Sequence, residues 1–289
     1  QIAVEHPDER LVLCINSDEG VDFVSRHRAE LEDRWFLPYA PASAVETANS
    51  KRAMAELIAS LDFPVPGRTS VDLSQPETWR ENLEKVTFPV VVKPEDGAEL
   101  TTYHHQGLRK AMPIDTLDEA LATFTAWHAN GVPICLIVQE LIPGDDTTQW
   151  VVNGYVDSHG EITATGSGRV LLGLHQPEVI GNAAMILVQR NDELIAQAQK
   201  IVRAAGMRGF FSMDVKIDPR TGTAYWLDLN PRIGRGHYYL KVGRIDLAKA
   251  MLADMEGQAA PYHTNGAGGI NTIVPMCLTK RTYKRNKDQ

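Results

Sequence analysis

Two short strings in the C-terminal third carry the residues best suited to chemistry: Met213-Asp214-Val215-Lys216 and Leu227-Asp228-Leu229-Asn230-Pro231-Arg232. Side chains on a strand alternate between faces with a period of two. Asp214 and Lys216 therefore share one face of the first string, and Asp228, Asn230 and Arg232 share one face of the second, with Leu227 and Leu229 turned to the core. Asp218-Pro219-Arg220-Thr221-Gly222 between them is turn chemistry, so a hairpin is expected; if its paired residue numbers sum to 442, Asp214 lies directly opposite Asp228. Like charges opposite one another destabilise a sheet. A divalent cation between them removes that cost. Two carboxylates and an amide are oxygen ligands, a set that suits Mg2+, which keeps waters and bridges substrate phosphates. Arg232, one step along the same face, can then neutralise charge on a transferred phosphoryl group. The plainer alternative is a solvated polar face, and a one-residue slip would turn Asp214 away.

Lys93 ends the β-branched run Pro89-Val90-Val91-Val92-Lys93-Pro94. A lysine at a strand end can reach a nucleotide phosphate as a point charge, or it can simply snorkel to solvent. Gln139 to Asp146 reads as a buried strand entering an apolar turn that carries two acids. Such a segment can offer main-chain groups to an adenine and a carboxylate to a ribose, or be an ordinary strand end and polar turn. Arg169 and Arg235 are candidates for gripping a substrate carboxylate, because arginine offers a bidentate fork; surface salt bridging is the alternative. No GxxxxGK[ST] or GxGxxG string is present. The histidines lack metal-ligand spacing. Cys14, Cys135 and Cys277 fit no metal site, and Cys14 and Cys135 are expected as buried free thiols.

The elements that must hold these residues follow from periodicity and breakers. Leu11–Ile15 reads as a buried strand, Val21–Leu31 and Ala44–Leu61 as helices, and Phe63-Pro64-Val65-Pro66-Gly67 as a helix stop. Leu117–Asn130 is an expected helix closed by Gly131, and Asp192–Ala205 one closed by Gly206. Ile134–Glu140 is an expected strand, and 149–156 with 162–170 an expected hairpin. The polar stretch from Glu95 to Lys110 has the profile of a mobile lid. Asp246–Met255 is a last amphipathic helix. This mixture is α+β.

With 29 Lys plus Arg against 37 Asp plus Glu, the formal charge of the 289 residues is −8, which argues against a nucleic-acid partner. No apolar run approaches the roughly 20 residues of a membrane span, and no signal peptide is visible, so a cytoplasmic protein without membrane insertion is expected. Gln1 is no initiator and a strand begins almost at once, so a piece trimmed at its N-terminus is expected.

Taken in order, these pieces resemble the ATP-grasp superfamily. The resemblance rests on Lys51 at a helix, on PVVVKP (Pro89 to Pro94), on VQELIPGDD (Val138 to Asp146) and on MDVKIDPRTGTAYWLDLNPRIGRG (Met213 to Gly236). It spans about residues 44–255. Within the superfamily the chain looks most like the D-aspartate ligase group of carboxylate–amine ligases, which build peptidoglycan cross-bridges; IPGDD at 142–146, VVNGYVDSHGEI at 151–162, IGN at 180–182 and NPRIGRGHYYL at 230–240 carry this finer likeness. It implies an ATP-grasp fold of two α+β lobes clasping ATP: residues 1–48 as the remnant of an N-terminal α/β domain, 49–141 as the small lobe with its linking helix, and 142–289 as the C-terminal lobe. By the same likeness Lys51 and Lys93 contact ATP phosphates, Glu140 and Leu141 line the adenine pocket, and Asp146 holds the ribose. Asp214, Asp228 and Asn230 bind Mg2+, and Arg232 serves an acyl-phosphate step. The glycine-rich loop that many members carry after PVVVKP is replaced here by 95–110, with only Gly97 and Gly107. Expected partners are a small-molecule carboxylate and an amine, the latter on a peptidoglycan precursor. A carbamoyl-phosphate-like or small-peptide ligase, and a nucleotide-binding module without turnover, remain as alternatives.

Overall fold

The computed structural model describes residues 2–95, 102–176, 179–265 and 268–286. The chain forms two compact units, Gln1–Pro64 with Gly144–Leu172 and Ala183–Gln289, and Val65–Pro143 with Gly173–Asn182. The N-terminal residues thus group with the C-terminal half, as does the helix Lys51–Ser60.

In the larger unit, β1 (Leu11–Val12) pairs in parallel with β2 (Trp35–Phe36). Between them lie the helices Asp18–Arg26 and Arg28–Leu31, separated at His27, where one helix from 21 to 31 was expected. Ser17 caps the first by accepting from Gly20 N. β1 stops at Val12, so Cys14 is exposed rather than buried, as is Cys277; Cys135, the first residue of its strand, is half-buried. The single helix expected over 44–61 is two, Ala42–Asn49 and Lys51–Ser60. Ser50 is the reason: it leaves the helical conformation at φ −88 and ψ 108, and its hydroxyl accepts from Ala53 N to start the second helix.

The smaller unit is built on β3 (Arg68–Asp72), β4 (Val90–Pro94), β5 (Met112–Ile114) and β6 (Cys135–Glu140), ordered β3-β6-β4-β5 and antiparallel throughout. One face is apolar: Val71, Val90, Val92, Leu136 and Val138 pack against Trp79 and Leu83 of one helix and Ala120, Phe124 and Trp127 of the helix Leu117–Ala129. The helix ends at Gly131 in the left-handed region (φ 72), as its sequence predicts. The alternate residues of β4, Val91 and Lys93, face the other way and are half-buried. Of the stretch 95–110 expected to be a mobile lid, residues 96–101 lie outside the described residues; further on, Leu108 is fully buried in the core of this unit.

The larger unit's main sheet contains β7 (Gln149–Val156), β8 (Ile162–Gly173), β9 (Ala183–Val188), β10 (Gly209–Ile217), β11 (Ala224–Asn230) and β13 (Ile270–Thr272), ordered β11-β10-β7-β8-β9-β13, with β12 (His263–Thr264) beside β8. Val151, Tyr155, Val170, Ile186 and Phe210 on one face pack against Tyr239, Leu240, Leu247 and Met251 from the helices Tyr238–Val242 and Leu247–Met255. The helix Asp192–Ala204 buries Leu194, Ile195, Ala198, Ile201 and Val202. No helix among the described residues is long and apolar enough to cross a membrane.

Candidate functional site

The hairpin of β10 and β11 carries the acids. Ser212 pairs with Asn230, Met213 with Leu229 and Asp214 with Asp228, so the two carboxylate residues stand directly opposite. Beyond Asp214 the register shifts by one: Val215 pairs with Trp226, and Leu227 is the extra residue of a bulge. Bulges bend a strand and re-aim side chains, and they recur beside active sites. This one corrects the simple alternation: Trp226 and Leu229 enter the core at 2% exposure each, while Leu227 is only half-buried and Asp228 is exposed. Asp214 and Asn230 are half-buried. Their donor set is two carboxylates and one amide, held by strand pairing on one face of the sheet. The repulsion built into that pairing is relieved by a hard divalent ion, so the residues present fit Mg2+. No cluster of three or more His, Cys, Asp or Glu that could hold a metal occurs among the described residues.

Arg232 extends from this strand and is held by ion pairing. Its Nε donates to Asp18 Oδ1 at 2.6 Å and its Nη2 to Asp18 Oδ2 at 2.9 Å, while Nη2 also lies 3.3 Å from Asn230 Oδ1. Beneath the acids runs a buried polar network that sequence reading did not find. Asn153 lies across from Ser212 in β7, and its Nδ2 donates to Ser212 Oγ (2.9 Å) and lies 3.2 Å from His237 Nδ1. Gly234 N also donates to His237 Nδ1, at 3.0 Å. The Nδ1 atom is therefore an acceptor, and the ring proton sits on Nε2, which donates to Phe211 O at 3.1 Å. His237 thus fixes the loop after β11 to the sheet through Phe211 O.

Burial pushes the His237 imidazole down to about 4, with the Arg232 charge adding in the same direction and the backbone bonds at Phe211 and Gly234 opposing. The folded protein binds this proton less readily than the unfolded chain. Its contribution to stability is therefore whole above the ordinary histidine pKa and is lost as pH falls from about 6.5 toward 4. About 2 kcal/mol of stability should be lost at this residue between pH 7 and 5. Urea unfolding of wild type and His237→Gln at both pH values checks this. The variant should lose less stability on acidification, and equal losses would show that His237 is not held neutral.

Lys216 shares the face of Asp214, as its spacing predicts, and its Nζ donates to Gly144 O at 3.0 Å. Burial pushes its ammonium pKa down against the attraction of Asp146 and Asp145. It therefore ties the strand that carries Asp214 to the turn that carries Asp146. In that turn Asp145 Oδ1 accepts from the backbone N and hydroxyl of Thr147, at 2.9 and 2.7 Å, which holds its carboxyl below the usual range. Asp146, half-buried, begins the 3-10 turn Asp146–Thr148. Arg169, on β8, spends its Nε on Thr147 O at 2.7 Å. Arg235 is exposed, and no hydrogen bond or ion pair holds it among the described residues. Lys51 occupies the first position of its helix. A cation there opposes the helix dipole.

In the smaller unit, Lys93 pairs with Ile137 and lies on the sheet face away from the core. Register puts Arg68 on that same face, across β6 at Gln139. Sequence reading passed over Arg68 because β3, short and polar, gave no periodic signal. Glu140 spends its carboxylate on backbone: Oε1 accepts from Thr87 N at 3.0 Å and Oε2 from Gly67 N at 3.3 Å. The backbone N–H groups of Glu140 and Leu141 donate to Gly67 O and Pro89 O. The side chain of Glu140 thus braces the strand ends.

A cavity of about 670 Å³ in the larger unit, lined by Arg28, Arg34, Tyr39, Arg208 and Asp254 among others, contains none of these candidate residues.

Residues 50–257, more than half of the chain, match the family described as carbamoyl-phosphate synthase L chain, ATP binding domain, and the chain belongs to that family; its fold is the ATP-grasp fold. Among individual proteins it is similar to the D-aspartate ligase of Enterococcus faecium (strain Aus0004), with 27% identity over 247 residues, covering 84% of this chain and 58% of that protein. Biotin carboxylase from Campylobacter jejuni shares the fold with a TM-score of 0.69 at 14% identity, over 93% of this chain and 59% of that one. The L-amino acid ligase of Bacillus licheniformis shares it with a TM-score of 0.60 at 17% identity, over 89% of this chain and 58% of that one. The chain thus spans under two thirds of the length of each of these three relatives.

Proposed function

We propose that this protein is an ATP-dependent carboxylate–amine ligase, with D-aspartate as the acid and an amine of a peptidoglycan precursor as the acceptor. The observation that carries the reading is the pairing of Asp214 with Asp228, with Asn230 ending the same strand and Arg232 in the bend just beyond it. Family membership over residues 50–257 supports ATP as the phosphoryl donor, and the similarity to a D-aspartate ligase supports the acid.

The chemistry has two steps. A carboxylate oxygen of the acid attacks the terminal phosphorus of ATP, the bond from that phosphorus to the bridging oxygen breaks, and ADP leaves. The amine nitrogen then attacks the acyl carbon, loses a proton, and the carbon–oxygen bond to phosphate breaks. A free carboxylate is a poor electrophile, and phosphorylation turns its oxygen into a leaving group. Asp214, Asp228 and Asn230 would hold Mg2+, which would supply neutralisation of phosphate charge. Lys51 and Lys93 bind phosphate oxygens. Asp146 accepts from the ribose hydroxyls. Glu140 and Leu141 line the adenine; the Glu140 carboxylate and both backbone N–H groups are engaged within the protein, so a polar contact from this main chain would come from a carbonyl. Arg232 stabilises the phosphoryl group in transfer. Of the two arginines suited to a substrate carboxylate, Arg235 has its whole fork available, and Arg169 only the Nη side.

Mg-ATP at 100 times its dissociation constant should stabilise the fold by about 2.7 kcal/mol. A thermal melt unmoved by millimolar Mg-ATP would count against nucleotide binding. ADP release measured across amino acids of both hands, with and without amines, tests the rest. The proposal expects acid-dependent release, greatest with D-aspartate. Release that ignores every acid would instead favour a module without ligase turnover.

A further inference from the structure

We infer that Asp18, at the start of the helix Asp18–Arg26, is a positioning residue that aims Arg232 at the reacting phosphoryl group; this rests on the role given to Arg232 above. The contact is side-on, with Nε and Nη2 of the guanidinium on the two oxygens of one carboxylate at 2.6 and 2.9 Å. A guanidinium has five N–H donors in a rigid plane. Asp18 takes one from Nε and one from Nη2, and Asn230 Oδ1 lies 3.3 Å from the same Nη2. The two N–H bonds of Nη1 have no partner among the described residues. One edge of the plane is therefore fixed and the opposite edge is open to an anion.

Two further restraints act on the same group. A Cβ at Gly234 would stand 3.2 Å from Arg232 Nη1, so the backbone passes close beside the open edge. That backbone is itself pinned, through Gly234 N to His237 Nδ1 and His237 Nε2 to Phe211 O. Asp18 is free for the task because the helix is capped by Ser17, whose hydroxyl accepts from Gly20 N. The pair does not explain itself as a stability device. Asp18 is 48% exposed and Arg232 21%; exposed pairs contribute about 0.2–1 kcal/mol, with bidentate ones at the upper end, so stability alone leaves the aim of the guanidinium unexplained. A sequestering role does not account for the geometry either, since the carboxylate leaves Nη1 uncovered.

The test compares Asp18→Ala, Asp18→Asn, Arg232→Met and the double variant Asp18→Ala/Arg232→Met. The probes are Mg-ATP, for the ground state, and Mg-ADP with aluminium fluoride, which mimics the phosphoryl group in transfer. Loss of an outer-shell partner that orients a metal ligand typically costs 10- to 100-fold, and by the same logic Asp18→Ala should bind Mg-ADP–aluminium fluoride about 10-fold more weakly. Its affinity for Mg-ATP should change by no more than about 2-fold, because the aim of Arg232 matters most to charge that develops in the reaction. Asp18→Asn, which keeps an acceptor but not the charge, should fall between and supplies the comparison if the alanine variant does not fold. The double variant should bind the mimic no more weakly than Arg232→Met alone. Equal losses for the two probes, tighter binding of the mimic, or full additivity in the double variant would overturn the role of Asp18 while leaving that of Arg232 standing. An Arg232→Met variant that binds the mimic normally would overturn both.

Discussion

Asp228→Ala is expected to lower turnover about 10³-fold or more, because a metal that clamps reacting phosphates contributes several kcal/mol to the transition state and each 1.36 kcal/mol is tenfold. The fold should survive. Asp228 is exposed on its strand, so its removal opens no cavity. It also faces Asp214 directly, and like charges so placed cost about 0.2–1 kcal/mol, so the metal-free variant should unfold no more easily than wild type. Thermal melting and ADP release on the same preparation separate the two effects. If the variant loses stability along with activity, Asp228 supports the hairpin, and the pairing with Asp214 has a structural rather than a metal-binding purpose.

Arg232→Met should lose on the order of 10²–10³ in turnover, the cost of removing one preorganised electrostatic donor. ATP affinity should change only a few-fold, since an interaction made chiefly in the transition state raises rate rather than binding. The Asp18 carboxylate left behind is 48% exposed and can be hydrated, so little stability should be lost. Nucleotide titration by calorimetry, set beside turnover, reads the split. A loss of ATP affinity as steep as the loss of turnover would make Arg232 a ground-state phosphate binder. No change in either would withdraw the catalytic alignment of the whole segment from Asp228 to Arg232.

The hairpin and its acids were legible in sequence because both signals are local: a period of two over a few residues, and turn residues between. The opposition of Asp214 and Asp228 rested on an assumed register: the pairs nearest the turn, Val215 with Trp226 and Lys216 with Tyr225, would continue to set Asp214 against Leu227, and the bulge is what brings it opposite Asp228. The bulge at Leu227 was not legible, since an extra residue in one strand leaves alternation in the sequence looking intact while it exchanges which residues meet the core. The break at Ser50 was missed for a related reason. Ala48 and Ala53 continue a helical pattern on either side, and a serine is a weak interruption until its hydroxyl is seen to cap. The contacts that organise the site join distant parts of the chain: Asp18 with Arg232, Asn153 with His237, Lys216 with Gly144. No spacing rule reaches across such separations. The engagement of the Glu140 carboxylate by the amides of Gly67 and Thr87 belongs to the same class, since it joins residues 53 and 73 positions apart.

The central claim, that a carboxylate is activated by phosphorylation, is tested most directly by following oxygen. D-aspartate and other amino acids labelled with 18O in the carboxylates are incubated with Mg-ATP and an amine, and the released phosphate is examined by mass spectrometry. Activation as an acyl phosphate requires that one oxygen of the acid leave with phosphorus, so one 18O should appear in phosphate for each ADP formed. Acid-dependent ADP release that yields unlabelled phosphate, or no acid-dependent release from any amino acid tried, would contradict it.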